Sequence, residues 1–469
     1  MRCHSLFSAA AMWLALAAQA VPASAGKCKT PRATEPACNA DCQAVFGAAL
    51  AREKSNWATP NFSQDPFFTT PANATGARPG DILRWQEISA AAMGTNFTMV
   101  PGGMSLTRFM YVTEDIDRKP IPATAFALLP LSLPESGKFK TTVWTHGTAG
   151  RSRHCAPSNQ KNLYYGYQGP LLLASGGHAV IGPDYAGQGS DIPGGFRYEA
   201  GHIHAADAAY ALVAARKASE VIGSYLSKEW VVVGHSEGGM TAWRTNQRLA
   251  MPEQEALKEA GPLIGAVSIA PAMTPVDLIP KSFRLAGDRP NGPAQNALYM
   301  LQSLAAMWPQ DFNITNILTD RANALVPLLD SGCQDSGAVL LSNMSTKDVF
   351  RTTDWIKHPK FFEWQRTFNG VDERPLAAPM LVVQGDNDQL TYLEECMQSF
   401  NRTCAGDRAA NAEMRVYPDL GHGGALDASQ DYYMRWIADR FNKGAPANKG
   451  CTVTKPVALN TRYQRDVRG

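Results

Sequence analysis

Short apolar runs alternate with helix-compatible segments along the central part of the chain. The runs span residues 142–145, 177–182, 230–233, 264–270, 379–384 and 413–417. Such short runs, rich in β-branched residues, are typical of strands buried in a parallel sheet. Residues 204–216 and 240–249 are compatible with helices between them. The alternation predicts an α/β fold whose mostly parallel sheet has helices on both faces.

A second helical pattern fills the interval between residues 270 and 380, which is far longer than an ordinary crossover. Its apolar residues at helical spacing are Met300, Leu301, Leu304, Met307 and Trp308, followed by Ile314, Ile317, Leu318 and Leu325. We expect Pro327 to end the second of these helices. The pattern predicts a helical cap, residues 275–375, inserted into a core of residues 81–274 and 376–451. Residues 26–80 and 452–469 are expected to be a wrapping segment and a tail secured by disulfides.

The first element with evident chemistry is the turn that follows the run 230–233. Residues 234–238 read Gly-His-Ser-Glu-Gly. A strand that passes through Gly-x-Ser-x-Gly into a helix holds its serine on a strained bend. Glycine at both flanking positions avoids a Cβ that would collide with the neighbouring strand and helix. The context therefore predicts an α/β-hydrolase fold in which Ser236 is the nucleophile.

The chain has nine histidines that could supply a base for this serine. In α/β-hydrolases the catalytic groups follow the order serine, acid, histidine along the chain. Only His358 and His422 follow Ser236. His422 lies in a glycine-flanked loop after the run 413–417, whereas His358 has no strand before it. His422 is therefore the predicted base.

The acid is expected at the end of the buried run 379–384, which leads into Gly385-Asp-Asn-Asp388. A carboxylate there can reach the imidazole Nδ1 and stabilise the imidazolium. We favour Asp388 over Asp386 because the acid usually follows a glycine by three residues. Asp386 would then cap the loop through an Asx turn. The residues alone leave this choice open.

Two backbone N–H groups are predicted to bind the oxyanion. The run 142–145 is followed by His146-Gly-Thr148, and such a step places one N–H near the nucleophile. The residue after the serine supplies the other, so the donors are the amides of Thr148 and Glu237. A His-Gly pair also occurs in ordinary turns. His202 and His204 have the spacing of metal ligands, but no cysteine or carboxylate cluster completes the set, so we expect no metal and no cofactor.

Composition and the N-terminus indicate a secreted protein. The 469 residues carry a net charge of +2 and are 45% hydrophobic, which suits a large core and argues against a nucleic-acid partner. Residues 1–25 combine an apolar run with Ala-Ser-Ala at the end, the pattern of a cleaved signal peptide. No second stretch is apolar enough to predict a transmembrane span.

Cleavage would leave an even number of cysteines, which suggests four disulfides. The eight are Cys28, Cys38, Cys42, Cys155, Cys333, Cys396, Cys404 and Cys451. Six asparagines lie in glycosylation motifs, namely Asn61, Asn73, Asn96, Asn313, Asn343 and Asn401.

From about Asp65 to Cys451 the chain resembles the secretory lipase family of α/β-hydrolases. The resemblance is carried by His146-Gly-Thr, Cys155-Ala-Pro-Ser, Gly182-Pro-Asp-Tyr-Ala-Gly, Gly234-His-Ser-Glu-Gly-Gly and the later Asp and Gly-His-Gly segments. It implies the triad Ser236, Asp388 and His422. It also implies a disulfide from the Cys-Ala-Pro-Ser loop, and we expect Cys155 to pair with Cys333.

One position departs from the family pattern, since Glu237 stands where many relatives carry Gln. We expect its carboxylate, near the site, to disfavour anionic products or to shift the pH optimum.

The sequence thus predicts a secreted serine hydrolase of carboxylic esters, a lipase or esterase whose partner is an ester such as a lipid. A cap rich in Met, Leu and Trp is expected to shelter an acyl chain, so activity should rise from acetyl to medium-length esters. A serine peptidase on the same fold, a non-catalytic binding protein and an acyltransferase are the alternatives.

Overall fold

The computed structural model of the protein describes residues 37–290, 294–443 and 450–457. The predicted signal peptide and Cys28 lie outside these residues. Ten strands form one sheet in the order β1-β2-β3-β5-β4-β6-β7-β8-β9-β10. The strands are β1 Ile82–Glu87, β2 Met104–Glu114, β3 Pro120–Pro130, β4 Phe139–Thr145, β5 His178–Pro183, β6 Leu226–His235, β7 Leu263–Ile269, β8 Met380–Gly385, β9 Ala412–Tyr417 and β10 Cys451–Thr454.

The sheet is parallel from β5 through β10 and antiparallel at the β1-β2-β3 edge, including the β3–β5 pair. The predicted α/β fold with a mostly parallel sheet is confirmed. Each of the predicted runs lies within, or within one residue of, a strand of the parallel part.

Fourteen α-helices accompany the sheet among the described residues. They are α1 Ala40–Ser55, α2 Ala90–Asn96, α3 Pro170–Ser175, α4 Gly201–Lys217, α5 Glu237–Leu249, α6 Pro275–Ala286, α7 Ala294–Met307, α8 Ile314–Ile317, α9 Asp320–Ser331, α10 Gln334–Leu341, α11 Thr346–Val349, α12 Pro359–Trp364, α13 Leu393–Gly406 and α14 His422–Phe441. None of them is long and apolar enough to cross a membrane.

Strand β6 shows why the central runs are apolar throughout. Val232 packs into the core cluster formed with α4, α5 and α13, whereas Val231 and Val233 pack into the cluster formed with α3 and α14. Successive side chains of a strand point to opposite faces, so a strand covered on both faces needs apolar residues at every position. The helices on both faces are thereby confirmed.

Helices α6 to α12, here called the cap, occupy the interval between β7 and β8 and share a third core cluster with α1 and with the segment before α4. Met300 and Leu304 are fully buried in it. The expectation that Pro327 ends a helix was wrong, because α9 continues through Pro327 to Ser331. Leu325 and Leu329, on either side of Pro327, are both buried. Their packing offsets the hydrogen bond that proline removes.

The N-terminal segment is held to the cap by a carboxylate. Helix α1 lies against α10, and Glu53 accepts hydrogen bonds from the backbone N–H of Cys333 (2.8 Å) and from Ser336 Oγ (2.6 Å). The disulfide in this segment, Cys38–Cys42, spans only four positions and does not fasten it to the body. At the other end, residues 452–454 belong to β10, which Cys404–Cys451 ties to α13.

Three disulfides are present among the described residues, and Cys155–Cys333 is one of them, as predicted. The seventh described cysteine, Cys396 in α13, is a buried free thiol, and Cys28, the other cysteine of the expected fourth bridge, lies outside the described residues. The Cys155–Cys333 bridge joins the loop after β4 to the start of α10 in the cap.

Replacing both Cys155 and Cys333 with alanine is expected to lower the free energy of unfolding by about 4 kcal/mol, because the lost bridge closes a very long loop. The matched control is Cys38→Ala with Cys42→Ala, whose bridge closes a loop of four positions and should cost far less. Denaturant unfolding of the two double variants measures the difference. Equal losses would contradict the loop-closure argument.

Candidate active site

Ser236 lies on the turn between β6 and α5 in a backbone conformation that L-residues seldom adopt, with φ 61° and ψ −123°. A Cβ on Gly234 would lie 2.1 Å from Thr145 Oγ1, and one on Gly238 would lie 2.0 Å from Thr145 O. Only glycine fits at either position, because strand β4 passes directly beneath the turn. The turn therefore has the geometry of a nucleophile elbow.

The predicted acid and the predicted base meet at the carboxyl ends of neighbouring strands. Asp388 follows β8, and His422 is the first residue of α14 after β9. Asp388 Oδ2 lies 2.8 Å from His422 Nδ1. The Asp388 side chain is fully buried, whereas 15% of the His422 side chain is exposed. A buried carboxylate that binds Nδ1 leaves Nε2 as the nitrogen free to act as a base.

Asp388 is held as an anion by its neighbours. Burial is the largest influence and would raise its pKa, but the charge of His422 and hydrogen bonds from His422, Thr391 and Leu390 outweigh burial and place the pKa below the usual range. The Thr391 hydroxyl donates to Oδ2 at 2.7 Å, and the Leu390 N–H donates to Oδ1 at 2.8 Å. Thr391 carries no pattern in the sequence that would have revealed this contact.

Asp386 has a different position. It is exposed, and its Oδ1 accepts a hydrogen bond from the Asp419 N–H at 2.6 Å. The predicted Asx turn at Asp386 was wrong, because this bond reaches across to the loop that leads to His422. Asp388 itself makes the local turn, to the N–H two residues on. His358 lies in the cap, where its side chain accepts a hydrogen bond from the N–H of Lys360 in α12.

His235 and the cavity wall connect Ser236 with Asp388 and His422, since the cavity beside Ser236 is also lined by Leu390 and Thr391, which donate hydrogen bonds to Asp388. The His235 and His422 rings lie 4.5 Å apart, and His235 Nε2 lies 3.2 Å from the His422 carbonyl oxygen. Burial, followed by the charge of His422, lowers the pKa of His235 to about 3, so this imidazole is neutral. Sequence reasoning missed His235, although it is the second residue of the elbow pattern.

The two predicted oxyanion donors are both free. Neither the Thr148 N–H nor the Glu237 N–H donates to another residue in the part of the chain that the structure describes. A Cβ on Gly147 would lie 3.2 Å from Ser236 Cβ, so the His-Gly step runs beside Ser236. The Thr148 carbonyl oxygen accepts a hydrogen bond from Tyr164, which fixes this loop. Free N–H groups beside a nucleophile are what an oxyanion requires.

The Glu237 side chain is buried behind the elbow. Its Oε1 accepts a hydrogen bond from the Glu199 N–H at 2.9 Å and lies 3.3 Å from His204 Nε2. The pKa of His204 is raised, because bonds to Asp207 and Glu237 outweigh its burial, which is the largest single influence. His202 faces another cleft, where its Nδ1 lies 3.4 Å from Arg374, so the two histidines do not converge.

A narrow cavity of about 50 Å³ opens beside Ser236. It is lined by Tyr198, Glu199, Ser236, Ala272, Pro275, Leu278, Ile279, Ser282, Asn296, Leu390 and Thr391. Helix α6 forms much of its apolar wall. Met300 and Leu304, the most prominent residues of the predicted cap pattern, lie in the cap core and not in this wall.

Comparison with known proteins agrees with this architecture. A sequence model of the alpha/beta hydrolase family matches residues 143–435, more than half of the chain, and the chain belongs to this family. It is similar to the "Probable inactive lipase MT1628" of Mycobacterium tuberculosis (strain CDC 1551 / Oshkosh), with 24% identity over 433 residues, 85% of this chain and 86% of that protein.

Solved structures of lipases and esterases share the fold. Candida antarctica lipase A matches with a TM-score of 0.67 and 14% identity, over 88% of this chain and 94% of that one. The rice cell wall degrading esterase LipA from Xanthomonas oryzae matches with a TM-score of 0.60 and 20% identity, over 80% of this chain and all of that one (100%). At these identities the likeness concerns the fold.

Proposed function

We propose that the protein is a secreted serine hydrolase that cleaves carboxylic esters through an acyl-enzyme. The observation that carries the proposal is the 2.8 Å contact between Asp388 and His422 beside the strained elbow of Ser236. Ser236, Asp388 and His422 are all present in this chain. We therefore propose that it is active, although a similar protein is named a probable inactive lipase.

The residues perform the reaction in two steps. His422 Nε2 takes the proton of Ser236 Oγ as this oxygen attacks the ester carbonyl, and the amides of Thr148 and Glu237 bind the resulting oxyanion. His422 then gives the proton to the departing alcohol, which leaves the acyl group on Ser236. Water, deprotonated by His422, attacks that acyl group and restores the serine. Asp388 keeps Nδ1 protonated and stabilises the imidazolium throughout.

The size of the cavity limits the length of the acyl group that the enzyme can accept. A cavity of about 50 Å³ has room for only a few water-sized groups. The apolar cap was expected to favour medium-length chains. Because Met300 and Leu304 are buried in the cap core and do not line the cavity, we propose instead that the enzyme prefers short acyl groups.

A series of p-nitrophenyl esters from acetyl to decanoyl tests the proposed function. We expect turnover, with kcat/KM highest among the short esters. Leu278→Ala should widen the cavity and move the optimum toward longer chains. Leu304→Ala is the matched control: it removes a buried leucine that does not line the cavity, so it should lower stability by about 2–5 kcal/mol and leave the optimum unchanged. No turnover of any ester would refute the hydrolase, and a rise through decanoyl would refute the short-chain preference.

Secretion is supported by the three disulfides, which form and persist in oxidising compartments. All six asparagines in glycosylation motifs are exposed, so each is open to modification.

A further inference from the structure

The cavity beside Ser236 has a polar wall as well as an apolar one. Pro275, Leu278 and Ile279 of α6 form the apolar side, whereas Glu199 and Asn296 bring a carboxyl and an amide to the same space. A carboxyl group would be unfavourable in a pocket that binds only an alkyl group, because burying it without a partner costs roughly several kcal/mol. Glu199 is therefore expected to have a partner in this pocket.

The backbone of Glu199 is held in an unfavourable conformation. Its φ is 53°, in the left-handed region that costs a non-glycine residue on the order of 1 kcal/mol or more. Its N–H donates to Glu237 Oε1 at 2.9 Å, and its carbonyl oxygen accepts from Asn369 Nδ2 at 3.1 Å. Both bonds involve the main chain, so glycine would make them with less strain. We therefore attribute the presence of glutamate, and not glycine, at position 199 to a role of its side chain.

The side chain itself lacks a full set of partners. Glu199 is only 6% exposed, and its Oε2 has no hydrogen-bond partner among the described residues. Burial, followed by the negative charge of Glu237, raises the pKa of Glu199 well above its usual range and outweighs a hydrogen bond with the Tyr198 side chain, which lowers it. Tyr198 is thus a partner for one part of the carboxyl group, and Oε2 is left for another. The raised pKa favours the protonated carboxyl, and with or without its proton the group can accept a hydrogen bond from a hydroxyl. Buried polar groups in native proteins are almost always satisfied, so a ligand is the natural partner.

Resting on the proposed function, we propose that Glu199 is a specificity-determining residue whose carboxyl group hydrogen-bonds a hydroxyl on the acyl group. The preferred substrates are then esters of short hydroxy acids. A site that must hydrogen-bond a substrate hydroxyl rejects the analogue without it, because the buried group is then left unpaired. The small volume of the cavity excludes long hydroxy acids.

The test compares ethyl 3-hydroxybutyrate with ethyl butyrate, which differ by one hydroxyl group. Wild type is expected to favour the hydroxy ester by about 10-fold or more in kcat/KM. Glu199→Gln keeps a donor and an acceptor and should retain most of this ratio. Glu199→Leu should reduce the ratio by about 10-fold. Ile279→Val, a control in the apolar wall, should affect both esters alike.

Binding to the Ser236→Ala variant separates this inference from the proposed function. By calorimetry, methyl 3-hydroxybutyrate should bind that variant more tightly than methyl butyrate, and adding Glu199→Leu should remove the difference. A wild-type ratio near one, together with equal binding of the two esters, would overturn the role of Glu199. So would a preference for a hydroxyl on the alcohol part, measured with 2-hydroxyethyl butyrate against propyl butyrate. Unequal binding without turnover of any ester would retain the role and refute only the hydrolase.

Discussion

Ser236→Ala is expected to lower ester turnover by about 10⁶-fold, because no other group is placed to form the acyl-enzyme. The fold should be unchanged. Ser236 Oγ makes no hydrogen bond with a described residue, so the free energy of unfolding should stay within about 0.5 kcal/mol of the wild-type value. Steady-state hydrolysis of a short p-nitrophenyl ester and denaturant unfolding measure the two quantities.

His422→Ala provides the control for this expectation. Members of a triad act as a unit, so His422→Ala should fall to the level of Ser236→Ala, and the double variant should lose nothing more. Losses that multiply in the double variant would indicate independent roles. Turnover by Ser236→Ala within about 100-fold of wild type would contradict the assignment of the nucleophile.

Asp388→Asn is expected to lower kcat by about 10⁴-fold, since an amide at this position favours the wrong imidazole tautomer. The matched control is Asp386→Asn, two residues earlier on the same loop. Asp386 is exposed and its contact is a hydrogen bond that it accepts from the Asp419 N–H, which an amide oxygen also accepts. This variant should stay within about 10-fold of wild type.

Equal losses in the two aspartate variants would mean that the loop as a whole, and not one carboxylate, supports His422. Greater loss in Asp386→Asn would make that residue the acid. The comparison is decisive because both substitutions remove one negative charge from the same turn.

The core of the site could be predicted because its determinants are local. A buried strand, Gly-x-Ser-x-Gly and a helix are consecutive in the chain, and the strain at Ser236 requires glycine at positions fixed relative to it. His422 followed from chain order and its glycine-flanked loop. Asp388 and Asp386 have almost the same local sequence, so only the 2.8 Å contact with His422 distinguishes them.

Features that depend on tertiary packing were not predictable in this way. Pro327 has the local property of a helix breaker, yet buried leucines on either side of it keep α9 intact. The apolar spacing of Met300 and Leu304 identifies a helix but not what that helix faces. Glu199 belongs to no motif, and its place beside Ser236 depends on the packing of the segment before α4 against the elbow.

We propose that this member of the alpha/beta hydrolase family is a working serine hydrolase whose nucleophile is Ser236. The most direct measurement is mass spectrometry of the protein after reaction with a fluorophosphonate, with peptide mapping of the modified residue. We expect one phosphonyl group per chain, attached to Ser236, and almost no modification of the His422→Ala variant. An unmodified wild-type protein, or a label on any other residue, would show that Ser236 is not the nucleophile.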